Sequence, residues 1–402
     1  VSVGGDSRAE RFLGTFDQIS RLSLDIDRNY GNKRVLTDFP LVHDGSKWTG
    51  TINKLIVGFD YTITGHAYKC VSCIDNYTLE TISGIANIAG VVNGNQFQAS
   101  FNSPKGIYVD SNENIFIADQ KNHIIRKINT EGLVSTFAGV EGLSGSNNGK
   151  SGEAKFFNPR GIVLDSEGNV YVGDSGNHVI RKIDINKNVS TFAGQIGNPG
   201  NSNGPSSQAQ FANPASLTID RSGNIYVTDP GNSLIRKIDR DGFVSTIAGQ
   251  NGELKNPQGI TIDNLDNIYI ADTGNNLIRK LKNGFLETID VDNVLNSPRG
   301  IVADNEGNLF ISDRNNHLIR KINSQNIISI IAGELGVSGS DDIKSIISNP
   351  YGIAVGRNGN IYFVGEDHLI RRLVNNKSNF NYQEIFRGDT QHTVTEGTNS
   401  LN

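Results

Sequence analysis

The sequence contains no Met and a single Trp among its 402 residues, and its aromatic fraction is only 7%. The hydrophobic fraction, 36%, is also below that of an average globular protein. Such a composition indicates either disorder or a fold with many tight turns. The 45 Gly residues and the regular short runs of Ile, Val and Tyr favour a fold rich in turns. Since Met is absent even from position 1, we expect a processed chain or a fragment.

Other features that the sequence lacks restrict its function. No apolar run approaches the roughly 18 residues of a membrane span, so no span is predicted. The formal net charge is −5 and no basic face is evident, so nucleic acid is not an expected partner. The sequence has no Ser-His-Asp arrangement with supporting context and no Gly-rich phosphate loop between a strand and a helix. We therefore predict that the protein is not an enzyme and needs no cofactor.

The two cysteines, Cys70 and Cys73, form one Cys-x-x-Cys pair. One such pair is insufficient for a structural zinc site, and a thioredoxin-like redox motif would need a βαβ context. A disulfide, either local or to another chain, is predicted, with a reduced cytosolic pair as the alternative. Three glycosylation sequons begin at Asn76, Asn188 and Asn376 and favour secretion. We expect an extracellular or cell-surface glycoprotein.

An internal repeat of 41 to 55 residues dominates the chain. Each copy predicts a strand after Pro, an Asp-x-x-Gly-Asn turn, a second strand ending in Asp, a polar turn and a third strand of the type Leu-Ile-Arg-Lys-Ile. A fourth strand, usually ending in Ala-Gly, follows most copies. Near-continuous apolar runs indicate strands that are buried on both faces. The copies begin at Pro104, Pro159, Pro214, Pro257, Pro298 and Pro350.

With these motifs, residues 82–374 resemble the NHL-repeat β-propellers, particularly the extracellular type with Ala-Gly closures. The resemblance implies an all-β, six-bladed β-propeller with an N-terminal extension, and it says little about function because propellers host many. Each blade would consist of four strands. Seven blades are the alternative.

The ends of the chain decide how the ring closes. Residues 85–90, Ile-Ala-Asn-Ile-Ala-Gly, resemble a fourth strand and would complete the last blade. Residues 382–386 compete for that role. We predict an N-terminal arm over 1–50, a Cys-containing β segment over 51–81 that is a possible degenerate seventh blade, a propeller over 82–388 and a polar flexible tail over 389–402.

Two kinds of Asp and one Arg recur in the copies. The Asp after strand one is expected to cap its turn rather than bind calcium, because a calcium site needs six to eight oxygens at one point. The Arg in strand three is sandwiched between blades, so it needs a carboxylate partner. The predicted structural ion pairs are Asp119–Arg126, Asp174–Arg181, Asp229–Arg236, Asp272–Arg279 and Asp313–Arg320. In the last copy Gly365 replaces the Asp, so Glu366 or Asp367 would have to pair with Arg371.

Four histidines, His123, His178, His317 and His368, occupy one repeat position, where Ser233 and Asn276 stand in the other two copies. Some NHL-like propellers are peptide-amidating lyases with a zinc held by histidines in the channel. Zinc needs three or four ligands at one point, so hydrogen bonding in the blade turns is the better explanation of a position that accepts Ser or Asn. No catalytic and no metal-binding residue is predicted.

The leading hypothesis is a non-enzymatic extracellular scaffold whose partners are proteins, including other copies of this chain, and glycans. Residues 1–50 supply apolar groups and could join copies into an oligomer or filament, or cap their own ring. A ligand-binding sensor domain of a cell-surface protein is the alternative, and an amidating-lyase-like metalloenzyme ranks last.

Overall fold

This computed structural model describes residues 77–291 and 293–376 with their side chains. It also describes the backbone of the strands within 21–28, 33–40, 42–43, 48–49, 60–70 and 382–393. The chain divides into two compact units, one made of residues 1–76 and 376–402 and the other of residues 77–375.

The larger unit contains six β-sheets, which are the blades of a propeller. The first blade comprises β7 (Pro104–Val109), β8 (Ile115–Asp119), β9 (Ile124–Ile128) and β10 (Val134–Ala138). The second comprises β11 (Gly149–Lys150), β12 (Pro159–Leu164), β13 (Val170–Asp174), β14 (Val179–Ile183) and β15 (Asn188–Ala193). The third comprises β16 (Gly204–Pro205), β17 (Leu217–Ile219), β18 (Ile225–Asp229), β19 (Leu234–Ile238) and β20 (Phe243–Ala248).

The remaining blades follow the same order of strands. The fourth comprises β21 (Gly259–Ile262), β22 (Ile268–Asp272), β23 (Leu277–Lys282) and β24 (Phe285–Ile289). The fifth comprises β25 (Pro298–Ala303), β26 (Leu309–Asp313), β27 (Leu318–Ile322) and β28 (Ile328–Ala332). The sixth comprises β29 (Ile353–Val355), β30 (Ile361–Val364), β31 (Ile370–Asn375) and β6 (Tyr77–Ser83). The predicted all-β, six-bladed propeller is confirmed.

The first strands of the six blades line the centre of the ring. Each contacts the first strand of the next blade, and β29 contacts β7, which closes the circle. Second strands such as β8 and β13 are buried at every position, because neighbouring blades cover both of their faces. The apolar core therefore lies between blades. One cluster joins Ile107 and Ile117 of the first blade to Val364 and Ile370 of the last.

The closing strand is β6, not residues 85–90 as the sequence suggested. β6 pairs antiparallel with β31, with Leu79 opposite Leu373 and Ser83 opposite Ile370. Gly84, at φ +103°, occupies the position that Gly139, at φ +104°, holds after β10. The prediction was wrong because residues 85–90 belong to the connector that follows, where the Gly90 N–H donates to the Phe101 carbonyl as the Gly145 N–H donates to the Phe156 carbonyl in the next connector. Residues 382–386, the competing candidate, lie in a different sheet.

The smaller unit contains a four-stranded antiparallel sheet. Its strands are β1 (Arg21–Arg28), β2 (Lys33–Pro40), β5 (Asp60–Cys70) and β32 (Tyr382–Thr393), in the order β2-β1-β5-β32. A separate pair joins β3 (Val42–His43) to β4 (Trp48–Thr49). The candidate seventh blade is therefore not a blade, since β5 pairs with β1 and β32. The structure also begins the ring at Tyr77 and ends it at Asn375, whereas the sequence suggested 82 and 388.

The turns between strands one and two are closed by their Asp side chains. The Oδ1 of Asp110 accepts the backbone N–H groups of Asn112 and Asn114, at 2.9 and 2.8 Å. Asp165 does the same for Glu167 and Asn169, at 3.0 and 2.9 Å. The carboxylates at this repeat position thus satisfy backbone donors that the turn leaves unpaired.

Candidate ligand-binding channel

Buried ion pairs hold strand two to strand three in four of the first five blades. Each joins a strand-two Asp to the strand-three Arg of the same copy. The pairs are Arg126–Asp119 at 3.0 Å, Arg181–Asp174 at 3.0 Å, Arg236–Asp229 at 3.2 Å and Arg320–Asp313 at 2.6 Å. Asp272 and Arg279 of the fourth blade do not come within salt-bridge distance of each other. Burial raises the pKa of Asp272, and the positive charge of Arg279 nearby partly opposes this shift.

Each of these carboxylates also receives hydrogen bonds from its own blade. Asp174 accepts the backbone N–H of Phe157 at 2.7 Å and the side-chain amide of Asn177 at 2.7 Å. Burial nevertheless raises the pKa of Asp174 to about 6. In the sixth blade Asp367 substitutes for the missing Asp, at 2.7 Å from Arg371, and Asp342 adds a second carboxylate at 3.2 Å.

The histidines at the common repeat position connect neighbouring blades. The Nδ1 of His178 accepts the backbone N–H of Asn213 in the next blade at 3.1 Å, and the Nδ1 of His368 accepts that of Ser103 across the ring closure at 3.0 Å. Ser233 and Asn276 make the equivalent bonds through side-chain oxygens. These residues lie at positive φ, which Asn tolerates well. The histidines therefore do not meet at one point, and their repeat position serves the joint between blades.

We predict that His178 makes ring stability dependent on pH. Burial lowers the pKa of His178, so the folded state favours the neutral imidazole. This contribution is complete above the unfolded pKa of about 6.5 and is lost as pH falls through the folded pKa. His178→Asn, which copies Asn276, should match the wild type in urea unfolding at pH 7.5. At pH 5.5 it should exceed the wild type by up to about 1 kcal/mol. An equal difference at both pH values would contradict this.

The central channel encloses a cavity of about 590 Å³ lined by all six blades. At one end, each blade contributes to the lining the residue that follows Pro at the start of its first strand. This position varies more than its neighbours in the repeat. It holds Lys105, Arg160, Ala215, Gln258, Arg299 and Tyr351 in blades one to six.

Cations converge at this end of the channel around Tyr351. The Lys105 Nζ lies 3.0 Å from the centre of the Tyr351 ring, and the guanidinium carbons of Arg299 and Arg314 lie 5.1 and 5.0 Å from it. The Tyr351 hydroxyl donates to Glu366 Oε1 at 3.0 Å. We call Lys105, Arg160, Arg299 and Arg314 the channel cations.

The carboxylate beside the channel cations is that of Glu366, and other groups already engage both of its oxygens. Glu366 pairs with Arg314 at 2.8 Å and also accepts the amide of Asn349 at 2.5 Å. Arg160 and Arg299 share a neutral acceptor instead, the Gln258 Oε1, at 3.5 and 3.3 Å. Among the described residues, no carboxylate lies within salt-bridge distance of Arg160, Arg299 or Lys105. Arg160 and Arg299 therefore leave positive charge at this end of the channel that no described carboxylate neutralises.

Burial and mutual repulsion shift the pKa values of the channel cations. Burial lowers the pKa of Lys105 to about 6; Glu366 opposes this shift, and Arg299, Arg314 and Arg160 add to it. Burial also lowers the pKa of Arg299, with Arg314 and Arg160 contributing in the same direction. For Arg314, burial is outweighed by the bond to Glu366, which raises its pKa. Such shifts in a cavity are typical of functional sites.

Sequence reasoning did not find this site. The channel cations are spread over the copies and differ from blade to blade, so no motif marks them. One signal was available: the residue between Pro and Gly varies widely although Pro, Gly and Ile around it recur. A variable position within a constant strand indicates a side chain that the ring itself does not need.

Several predicted features lie partly or wholly outside the described side chains. The Cys70 side chain, Cys73 and Asn76 are not described. Asn188 begins β15, and its Nδ2, the atom that would carry a glycan, donates to Asp184 Oδ2 at 2.9 Å. The disulfide and the glycans stay predictions. Within the described part of the chain, no group of three His, Cys, Asp or Glu side chains is suited to a metal ion, and no helix is long and apolar enough to span a membrane.

Comparison with known proteins supports the repeat assignment. Residues 156–183, 254–281 and 295–322 match the NHL repeat family. Protein SUPPRESSOR OF QUENCHING 1, chloroplastic, from Arabidopsis thaliana is 36% identical over 150 residues, which are 35% of this chain and 14% of that protein. NHL repeat-containing protein 2 from Gallus gallus is 28% identical over 243 residues, which are 54% of this chain and 33% of that protein. This chain thus covers a third or less of either relative.

A solved structure gives the same fold. A protein of unknown function from Bacteroides thetaiotaomicron aligns with a TM-score of 0.58 over 88% of this chain and 90% of its own, at 15% sequence identity. Similarity at that level of identity concerns the fold alone. The chain is thus a six-bladed β-propeller in which three segments match the NHL repeat family.

Proposed function

We propose that this protein is a non-enzymatic scaffold that binds a partner protein through one face of its ring. We call this the connector face. It consists of the loops from strand four of one blade to strand one of the next, together with the turns between strands two and three. The loops are tied to those turns, since the Gly142 N–H donates to the Asn122 carbonyl and the Gly197 N–H to the Asn177 carbonyl, both at 3.1 Å.

The observation that carries this proposal is a set of exposed aliphatic side chains on the connector face. Each lies within four residues after the Gly that ends a strand four. They are Ile88 (54% exposed), Leu143 (51%), Ile196 (47%) and Leu335 (63%). Exposed apolar groups recurring around one face of a rigid ring are typical of protein-interaction surfaces.

The proposal is tested by Leu143→Asp and Leu335→Asp in the full chain. Proteins captured from an extract of the source organism should be lost from both variants. Ile185→Asp is the matched control, because Ile185 is 66% exposed but lies in a turn between strands three and four, at the other end of the strands. If all three variants capture the same proteins as the wild type, the connector face is not the binding surface.

A second candidate function is self-assembly into an oligomer or filament. In the described part of the smaller unit, β2 and the twelve-residue β32 are the edges of their sheet. Open edges favour strand addition between copies, which gives main-chain hydrogen bonds at little cost in sequence. Strands β1 and β2 of the predicted arm lie in the same sheet as β32, which belongs to the C-terminal segment of the chain. Light scattering of the full chain against concentration tests this, and a mass that stays at 43.6 kDa would reject it.

We further propose an extracellular location, with Cys70 oxidised to Cys73 or to another chain and at least one sequon glycosylated. Both features are expected to leave a signature in the intact mass of protein isolated without reductant. Free thiols together with an unmodified mass would contradict this location.

The sensor domain and the lyase-like enzyme remain alternatives. A ligand in the channel would suit a sensor. The lyase reading needs a zinc held by histidines, whereas His123, His178, His317 and His368 each use Nδ1 as an acceptor at a joint between blades. Zinc analysis of the purified protein distinguishes the two alternatives, since only the lyase-like enzyme requires bound zinc.

A further inference from the structure

We propose that the channel cations form a binding site for a small oxyanionic ligand, one that carries carboxylate or phosphate groups. The site differs from the exposed aliphatic side chains proposed above, since it lies within the ring and is defined by Lys105, Arg160 and Arg299, although Arg314 comes from a turn of the connector face. A cavity of about 590 Å³ falls within the range of roughly 300–1,000 Å³ that is typical of small-molecule sites.

The molecule contains two contrasting sets of arginines. The strand-three arginines of blades one, two, three and five are fully or almost fully buried, and each contacts a carboxylate at 2.6 to 3.2 Å. Arg160 and Arg299 are partly buried, yet their shared acceptor is one neutral amide oxygen of Gln258. Removing a guanidinium group from water is costly without an anion. A ligand oxyanion would supply the missing partner.

The positions of Arg160 and Arg299 around the Gln258 oxygen also favour a bound oxyanion. Gln258 is oriented by its own bond to Asn256, at 2.7 Å, and presents its oxygen to both guanidinium groups. Arg160 and Arg299 come from blades two and five, so they approach this oxygen from different parts of the ring. Planar guanidinium groups recognise carboxylate and phosphate by paired hydrogen bonds, and two of them directed at one place form a clamp for such a group.

Lys105 lies among the charged groups at this end of the channel. Burial disfavours its ammonium form most, Arg299, Arg314 and Arg160 add to this effect and Glu366 opposes it, and Tyr351 and His368 lie beside it. With a pKa of about 6, Lys105 is mostly neutral at pH 7.5 in the free protein. A bound anion would restore the ammonium form, so binding should take up a proton. His368, whose pKa is lowered by burial, stays neutral at that pH.

The test is isothermal titration calorimetry of the full chain with citrate and with inorganic phosphate at pH 7.5 and constant ionic strength. The two probes separate carboxylate from phosphate recognition. We expect saturable binding of at least one probe, and at least about ten-fold weaker binding in Arg160→Gln and Arg299→Gln. Lys237→Gln is the matched control, since the Lys237 Nζ also lies over a tyrosine ring, 5.7 Å from the centre of Tyr226, but outside the channel.

Repeating the titration in buffers of different ionisation enthalpy measures proton uptake. Binding to the wild type should take up a fraction of a proton per ligand, whereas binding to Lys105→Gln should take up none. Thermal unfolding without ligand verifies that each variant is folded, and removing one of several like charges should not destabilise the ring. Absence of saturable binding of both probes at 10 mM would overturn the proposal, as would unchanged affinity in Arg160→Gln and Arg299→Gln.

Discussion

Asp174→Asn is expected to lower the free energy of unfolding by about 3–5 kcal/mol. The substitution keeps the size of the side chain but leaves the fully buried Arg181 without its carboxylate at 3.0 Å. Breaking a buried ion pair by removing one partner costs that much because the other charge stays behind. Urea unfolding at pH 7.5 measures the effect.

Blade four provides the control for this prediction. Asp272 accepts a backbone N–H from Lys255 and a side-chain amide from Asn275, both at 2.8 Å, much as Asp174 does from Phe157 and Asn177. It does not form a salt bridge with Arg279. Asp272→Asn should therefore cost clearly less than Asp174→Asn. Equal losses in the two variants would mean that the buried ion pair adds nothing to the hydrogen bonds around it.

Gly161→Ala should destabilise the ring by about 3 kcal/mol or more. A Cβ at Gly161 would clash with the carbonyl oxygen of Ala215 in the next blade and come within 2.8 Å of the Ser216 Cα. Both obstacles are backbone atoms of the segment that leads into β17, so neither can rotate away. Overpacking usually costs about 1–3 kcal/mol, and a clash with main chain exceeds what side-chain adjustment relieves. Thermal or urea unfolding gives the loss.

Ser216 makes a natural comparison, because it stands where the other five blades have this Gly. There the first strand, β17, begins only at Leu217, and the backbone N–H of Ser216 donates to Thr228 Oγ1 at 2.9 Å. The chain has thus made room for a side chain at that position. Ser216→Ala should change stability by less than about 1 kcal/mol. A large loss there, or none in Gly161→Ala, would contradict the close approach of the inner strands.

Most of the ring could be predicted from the sequence because the same physical requirement recurs in every blade. Asp110 and its equivalents must cap a turn, and Arg126 and its equivalents must find a carboxylate between two blades. Each requirement leaves the same residue at the same spacing in nearly every copy. Periodicity therefore identifies the blade, its strands and its buried charges together.

The rest depended on contacts that periodicity does not encode. The strand that closes the ring, Tyr77–Ser83, pairs with residues almost 300 positions away, and its Gly84 lacks the preceding Ala seen in other blades. The repeat also marks His178 as a turn residue without revealing that its bond crosses to the next blade. The channel cations were missed for the opposite reason, since the position of Lys105, Arg160 and Arg299 holds Ala, Gln and Tyr in the other three blades.

The repeat region forms one closed ring of six blades, in which its N-terminal and C-terminal parts meet in a single sheet. An experimental density map of the full chain tests this most directly. It should contain six blades around one axis, with residues 77–83 as the outermost strand beside residues 370–375 and with Glu80 paired to Arg372, which lie 2.6 Å apart here. A map with seven blades, or with residues 77–83 paired to any other strand, would contradict it.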